Sequence, residues 1–241
     1  PAMPVEVFNP IIEIAQSWVR KYSADILSLQ RNFLRARGAT RHYKGNSYVY
    51  ATDSELLKFR FDLSGSLGES WRQPLSAVSD AIAAPRGKKA RGNAGPSSQF
   101  KALISDLRDS ASILVQAHTG MRISEVLGLR ALPRHENGWP ACLTSRPSPS
   151  GFYEMFFIKG VIFKAQGEGG SDAEWLAGVR PVGATWLPDA VEAILILDRL
   201  FAPWRKMYED SHLIVSLGHG RGPPRGIKSK QFGDAWRVKS D

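Results

Sequence analysis

The chain has only one cysteine among its 241 residues, Cys142. An internal disulfide is therefore impossible, and a cysteine-rich metal site is excluded. A lone cysteine suits a reducing compartment such as the cytoplasm. The chain also lacks an apolar run long enough to span a bilayer, which argues against a membrane protein. Its five histidines show no spacing typical of metal ligands, so we expect no bound metal and no other cofactor.

Acidic residues are too few to balance the basic ones. Against 23 Asp and Glu stand 32 Lys and Arg, which gives a net charge of +9 and an isoelectric point near 9.8. This surplus favours a polyanionic partner, of which nucleic acid is the commonest, with a solvated basic surface as the alternative. Seven tryptophans and eleven phenylalanines indicate a folded core rather than a disordered chain.

Hydrophobic periodicity predicts a mainly α fold with a small antiparallel β-sheet. Helices are predicted at residues 10–37, 54–61 and 99–118, then from the Thr-Gly at 119–120 through residue 130, from residue 188 onward and from about residue 231. Strands are predicted at residues 45–50, at 153–164 with an irregularity at Gly160, at 175–182 and at 213–217.

A stretch at residues 85–98 divides the chain. It carries positive charges but no acidic residue among glycine, proline and serine, the composition of a flexible basic linker. We therefore expect a helical leader or insertion at residues 1–96 and a separate domain at 97–241. Lys88, Lys89 and Arg91 are predicted to contact phosphates of a nucleic acid, with a solvated surface as the alternative.

One short segment, HTGMRISEVLGLR at residues 118–130, combines several local signals. Thr119 can cap a new helix with its hydroxyl, and Gly120 permits a tight turn. Arg122 then falls in the first turn, where the helix dipole disfavours a cation unless an anion binds beside it. Glu125 is spaced to orient Arg122. The simpler interpretation is a surface ion pair between these two side chains.

The residues of this segment from position 119 to 129 closely resemble the first conserved box of the tyrosine recombinases, the phage integrase family, whose pattern is TGxRxSExxxL. The resemblance covers about residues 97–241 and implies the N-terminal part of a recombinase catalytic domain. In that family the box arginine contacts the scissile phosphate, and a lysine of the following β-hairpin protonates the leaving 5′ oxygen. These roles would fall on Arg122 and Lys164. Lys159 is the second choice, and a solvated strand lysine is the alternative.

The resemblance also implies a function. It predicts site-specific DNA recombination or integration through a 3′-phosphotyrosine intermediate, without a metal or nucleotide. The partner would be double-stranded DNA, on which family members assemble as tetramers. Such a protein would work in the cytoplasm, associated with the nucleoid.

The sequence departs from the family pattern in its second half. It contains no His-x-x-Arg, and its six tyrosines all lie at or before Tyr208. The chain also begins at Pro1 rather than methionine. We therefore expect a fragment that stops before the nucleophile and cannot cleave DNA. Two alternatives stay open. One is a non-enzymatic DNA-binding or regulatory protein that keeps the fold, and the other is a helical interaction module with an accidental match.

Overall fold

The computed structural model describes residues 4–39, 47–61, 70–77, 95–162, 170–215 and 217. In chain order the described elements are α1 (Val5–Ser17), a π-helical turn (Trp18–Tyr22), α2 (Ser23–Ala39), α3 (Ser47–Lys58), α4 (Pro96–Thr119), α5 (Ile123–Leu127), β1 (Leu143–Pro147), β2 (Tyr153–Ile162), β3 (Ser171–Pro181) and α6 (Asp189–Tyr208). The strands form one antiparallel sheet in the order β1-β2-β3. The predicted class, mainly α with a small antiparallel sheet, is confirmed.

The contacts divide the chain into two compact units. One joins Pro1–Val19 to Arg108–Asp241, and the other is Arg20–Leu107. The division falls inside α4, whereas the sequence suggests a boundary near residue 96. Most of the predicted basic linker lies outside the described residues, so its character stays a prediction.

The second unit is helical, with a core between α2, α3 and the first half of α4. The rings of Phe33 and Phe100 lie 4.7 Å apart, and Leu56 is fully buried. The strand predicted at residues 45–50 is wrong, because α3 begins at Ser47. Aromatic and β-branched residues favour strands only weakly, and the packing of α3 on α2 overrides that preference.

The first unit packs the sheet beside helices. The buried residues of β2 include Phe156 and Ile158, and the buried side of α6 is apolar except for Asp198 and Arg205. The register of the sheet shifts after Phe156, which pairs with Gly178, because Ala177 of β3 is an extra residue without a partner on β2. The irregularity predicted at Gly160 is therefore wrong, because Gly160 pairs regularly with Ala173.

Four further differences concern element bounds. The first helix begins at Val5 rather than at residue 10, with Glu6 in its first turn, where the helix dipole favours a carboxylate. Strand β1 was not predicted, because only its first residue is buried and it lacks an alternating pattern. In the stretch predicted as a strand at 213–217, the described residues form no strand, and the neighbouring His212 makes one isolated bridge to Arg130. Helix α5 ends at Leu127, short of the predicted end at 130.

The predicted helix near residue 231 lies outside the described residues. Among the described helices, none is long and apolar enough to cross a membrane.

Candidate nucleic-acid interface

The turn between α4 and α5 is held by the hydroxyl of Thr119, the last residue of α4. This hydroxyl donates to the carbonyl oxygen of Val115 at 2.6 Å and accepts the backbone N–H of Met121 at 3.2 Å. Gly120 follows with φ of 72°, a conformation in which glycine meets no steric penalty. The tight turn at Gly120 is confirmed. Thr119, however, closes this turn instead of capping α5.

Arg122 itself is the N-cap residue of α5, one position before the predicted first turn. Its backbone is extended, and its N–H donates to Oε2 of Glu125 at 2.7 Å. The Glu125 side chain is buried, so this hydrogen bond is shielded from water. Glu125 therefore fixes the backbone of Arg122 and leaves the guanidinium to other partners.

The side chain of Arg122 is exposed, and within the described residues its guanidinium has no hydrogen bond and no ion pair. The simpler interpretation, a surface ion pair with Glu125, is not observed, because that carboxylate accepts the backbone N–H instead. A guanidinium on a fixed backbone keeps its fork of donors available for an external phosphate or carboxylate.

The motif and the β-hairpin are neighbours within one unit. Helix α5 packs on β2. Just beyond α5, the side chain of Leu129 lies over Gly160, where an added Cβ would come within 3.1 Å of Leu129 Cδ2. The absence of a side chain at Gly160 thus allows the segment after α5 to approach the sheet closely.

Lys159 lies on β2 opposite Glu174 of β3, and its Nζ is 3.3 Å from Oε1 of that carboxylate. Arg146 binds the other oxygen at 3.0 Å. Hydrogen bonds from Arg146 and Lys159 lower the pKa of Glu174, so the carboxylate stays ionised at neutral pH. Lys159 is thus exposed but already paired.

A shallow concavity of about 460 Å³ lies at this end of the hairpin. Its lining includes Lys159 together with Asp172 and Glu174. Two carboxylates beside one lysine repel a phosphate, so this concavity is poorly suited to a DNA backbone. This arrangement weighs against Lys159 as the lysine of a DNA-cutting site.

Several predicted residues lie outside the described ranges. They are Lys164, which follows β2 in sequence, and Lys88, Lys89 and Arg91 of the basic stretch. Their roles, and the separation of Lys164 from Arg122, stay predictions. Among the residues that are described, no group of three or more His, Cys, Asp or Glu side chains could hold a metal ion.

A further polar cluster was not predicted from the sequence. Arg130 follows α5, and its Nη1 donates to the Ser211 hydroxyl at 2.7 Å. His212 lies beside it, and Asp210 accepts both the backbone N–H and the ring Nδ1 of His212, at 2.8 and 2.7 Å. Ser211 lies 81 residues after Arg130 and no motif links the two, so only the fold brings Arg130 beside the segment 210–212.

A second unpredicted cluster is buried. Asp198 on α6 accepts hydrogen bonds from Arg134, at 2.7 and 2.9 Å, and from Arg205. Arg205 is 3% exposed and also donates to the carbonyl oxygen of Leu213 at 2.7 Å. Burial lowers the pKa of the Arg205 guanidinium, and the adjacent carboxylate opposes that shift. The cluster ties three chain segments together and has a structural role.

Comparisons with family models, with curated proteins and with solved structures found no match to this chain.

Proposed function

We propose that this chain binds double-stranded DNA and supplies the phosphate-binding arginine of a site for DNA breaking and rejoining of the tyrosine recombinase type. The observation that carries the proposal is the state of Arg122. Its guanidinium is exposed and, among the described residues, unpaired, while Glu125 and the turn at Gly120 fix its backbone. The sequence around it resembles the first box of that family.

In the proposed reaction, Arg122 binds a non-bridging oxygen of the scissile phosphate and stabilises the charge that develops as the phosphorus becomes five-coordinate. Lys164 donates a proton to the leaving 5′ oxygen as a general acid. A tyrosine hydroxyl displaces that oxygen and forms a 3′-phosphotyrosine bond, which conserves the phosphodiester energy for rejoining.

Residues 1–241 contain neither a His-x-x-Arg sequence nor a tyrosine after Tyr208. The proposal therefore requires both groups from outside these residues. The complete site would act as a tetramer on two duplexes in the nucleoid, as the resemblance implies.

The second candidate is a DNA-binding or regulatory protein without cleavage activity. The exposed guanidinium of Arg122 supports it equally, because DNA binding requires only cationic contacts to phosphates. In both candidates Arg122 contacts a DNA phosphate, and they differ only in whether the protein cleaves the DNA.

DNA binding is tested with a random-sequence 20-base-pair duplex, by fluorescence anisotropy between about 50 and 200 mM salt. We expect a linear fall of log K with log salt. Arg122→Ala should reduce the slope by about 0.9, the value of one lost phosphate contact. The matched control is Arg199→Ala, because Arg199 is also an exposed arginine without an ion pair among the described residues.

Two results would overturn the proposal, the first by excluding DNA binding and the second by excluding Arg122 as a phosphate contact. One is the absence of binding at low salt, which favours an interaction module with an accidental match. The other is an equal slope in the two alanine variants.

Cleavage is tested separately with supercoiled plasmid. We expect residues 1–241 to produce neither a nick nor a covalent protein–DNA adduct, and a longer parent chain with the two missing groups to produce both. An adduct formed by residues 1–241 would contradict the assignment of the nucleophile. A parent chain that binds DNA without an adduct would support the regulatory candidate.

A further inference from the structure

The described arginines of the first unit fall into two groups according to their partners. Of the eight arginines described between residues 108 and 217, five form ion pairs with carboxylates, namely Arg108, Arg134, Arg146, Arg180 and Arg205. The other three, Arg122, Arg130 and Arg199, have no ion pair among the described residues. Of these, only Arg130 is held by polar neighbours.

The backbone around Arg130 explains where its side chain points. Leu129 accepts the N–H of Leu213 at 2.7 Å, and Ala131 donates to the carbonyl oxygen of Ser211 at 2.8 Å. Arg130 therefore lies opposite His212 in a short antiparallel pairing. Because Leu129, Ala131 and Leu213 are buried, the intervening Arg130 and His212 side chains project to the opposite, solvent side.

Hydrogen bonds fix the geometry of this pair. The ring Nδ1 of His212 is 2.7 Å from Oδ1 of Asp210, so Nδ1 carries the proton. The 3.5 Å approach of Arg130 Nη1 to that nitrogen is then a contact between two donors, not a hydrogen bond. Burial alone would raise the pKa of Asp210, but hydrogen bonds from His212 and the charges of His212 and Arg130 outweigh it, and the pKa is lowered.

The Ser211 hydroxyl holds one nitrogen of the guanidinium at 2.7 Å. The other two guanidinium nitrogens of Arg130 have no partner in the described part of the chain. The side chain is thus restrained at one point and keeps donors open to solvent. This reduces the conformational entropy that an exposed arginine loses when it binds an anion.

We propose that Arg130, positioned by the Ser211 hydroxyl, is a second contact to the DNA phosphate backbone, in addition to the one made by Arg122. The inference rests on the proposed DNA binding and adds a residue to that interface. Arg122 precedes the five-residue helix α5, and Arg130 follows it by three residues. The two arginines thus flank a helix about 7.5 Å long, and we assign them to different phosphates of one duplex.

The experiment repeats the salt titration on the full chain with the 20-base-pair duplex. We expect Arg130→Ala to bind roughly tenfold more weakly at low salt and to reduce the slope by about 0.9. Arg130→Lys keeps the charge without the planar fork, and should weaken binding with little change of slope. Arg199→Ala is the matched control and should bind like the unaltered chain.

Removing the residue that positions Arg130 should affect DNA binding differently from removing the charge of Arg130 itself. Ser211→Ala removes the tether but no charge, so we expect weaker binding with an unchanged slope. A thermal melt of each variant identifies any that fails to fold. If Arg130→Ala does not fold, Arg130→Lys replaces it, because lysine keeps a long polar side chain. Weaker binding by Arg130→Lys than by the unaltered chain then supports the contact, and equal binding contradicts it.

The outcomes separate the two proposals. If the unaltered chain binds DNA and Arg122→Ala lowers the slope, but Arg130→Ala behaves like Arg199→Ala, the inference about Arg130 is wrong and the proposed DNA binding stands. Absence of any binding by the unaltered chain overturns both. Titration with inorganic phosphate alone should show no saturation in the millimolar range. Saturable binding that Arg130→Ala abolishes, without an effect on DNA, would identify a free-anion site instead.

Discussion

At the scale of single residues, hydrogen bonding and burial decide what each functional group can do. Glu125 and Arg122 are three residues apart, a spacing that suits a side-chain ion pair on a helix. The structure instead places Arg122 at the N-cap, where its N–H needs an acceptor and the Glu125 carboxylate supplies one. The carboxylate therefore stabilises the turn, and the guanidinium stays available.

This arrangement predicts the effect of removing Glu125. We expect Glu125→Ala to lower the free energy of unfolding by about 1 kcal/mol, because the Arg122 N–H loses its acceptor at the start of α5. Glu125→Gln keeps an oxygen acceptor at the same distance from the backbone and should lose less. Urea denaturation of both variants provides the measurement. An equal loss in the two variants would show that the carboxylate acts through its charge.

Cys142 shows the effect of burial on a nucleophile. Burial, with a smaller contribution from the negative charge of Asp198, raises the pKa of its thiol to about 12. We therefore expect no reaction of the native protein with a thiol reagent at pH 8, and full reaction after denaturation. Fast labelling of the native protein would contradict the burial of this side chain.

The same raised pKa gives a dependence of stability on pH. The unfolded chain loses the thiol proton near the ordinary pKa of 9.0, whereas the folded chain keeps it up to about 12. The contribution to stability is therefore complete below pH 9 and declines as the pH rises above 9. Denaturant midpoints between pH 8 and 10.5 test this. Cys142→Ala should show a shallower decline, since all other titrating groups are common to both proteins.

At the scale of elements, one glycine fixes how β3 meets α6. Gly178 has φ of 152° at the bulge in the sheet, and an added Cβ would lie 2.3 Å from Cβ of Pro188, the N-cap residue of α6. Neither the backbone conformation nor the available space accepts a side chain. The join between the strand and the helix depends on this position.

We expect Gly178→Ala to destabilise the fold by about 2–4 kcal/mol, because Pro188 and the start of α6 would have to shift. Gly183→Ala is the matched control. Its φ is also positive, at 86°, but a Cβ there would have no atom within 4 Å. It should cost only about 1 kcal/mol of backbone strain. Similar losses by thermal unfolding would show that backbone strain, not the clash, is limiting.

At the scale of the whole molecule, buried ion pairs as well as apolar packing hold together distant segments of the first unit. The carboxylate of Asp198 lies between Arg134 from the segment before β1 and Arg205 from its own helix, and Arg205 in turn binds the carbonyl oxygen of Leu213. These contacts connect parts of the chain that share no local sequence signal. Loss of the carboxylate would leave the buried charge of Arg205 without a counter-ion.

For this reason we expect Asp198→Asn to lower the free energy of unfolding by about 3 kcal/mol or more. Glu174→Gln serves as a control, because it removes a carboxylate from an exposed group of charges at the sheet surface, where water screens the loss. Chemical denaturation compares the two. A small effect of Asp198→Asn would indicate that water solvates Arg205.

The sequence by itself determined the elements with strong periodicity. Helices α4 and α6 have apolar residues at regular steps, strand β2 is rich in aromatic and β-branched residues, and each lies close to its predicted position. The turn at Gly120 was likewise predictable, because its residue type permits a local conformation. Strand β1 and the start of α3 were not predictable, since packing against neighbours rather than local preference decided them, whereas the end of α3 overlaps the helix predicted at residues 54–61.

Only the tertiary structure decided the surroundings of each charged group. A sequence gives the position of Arg122, Arg130 or Lys159 along the chain, but not the carboxylate or hydroxyl that the fold brings next to it. Lys159 forms an ion pair with Glu174, and Arg130 donates a hydrogen bond to Ser211. The Arg122 guanidinium has no partner among the described residues. Because electrostatic interactions act through space, the partner across the fold determines which of these cations can bind a phosphate.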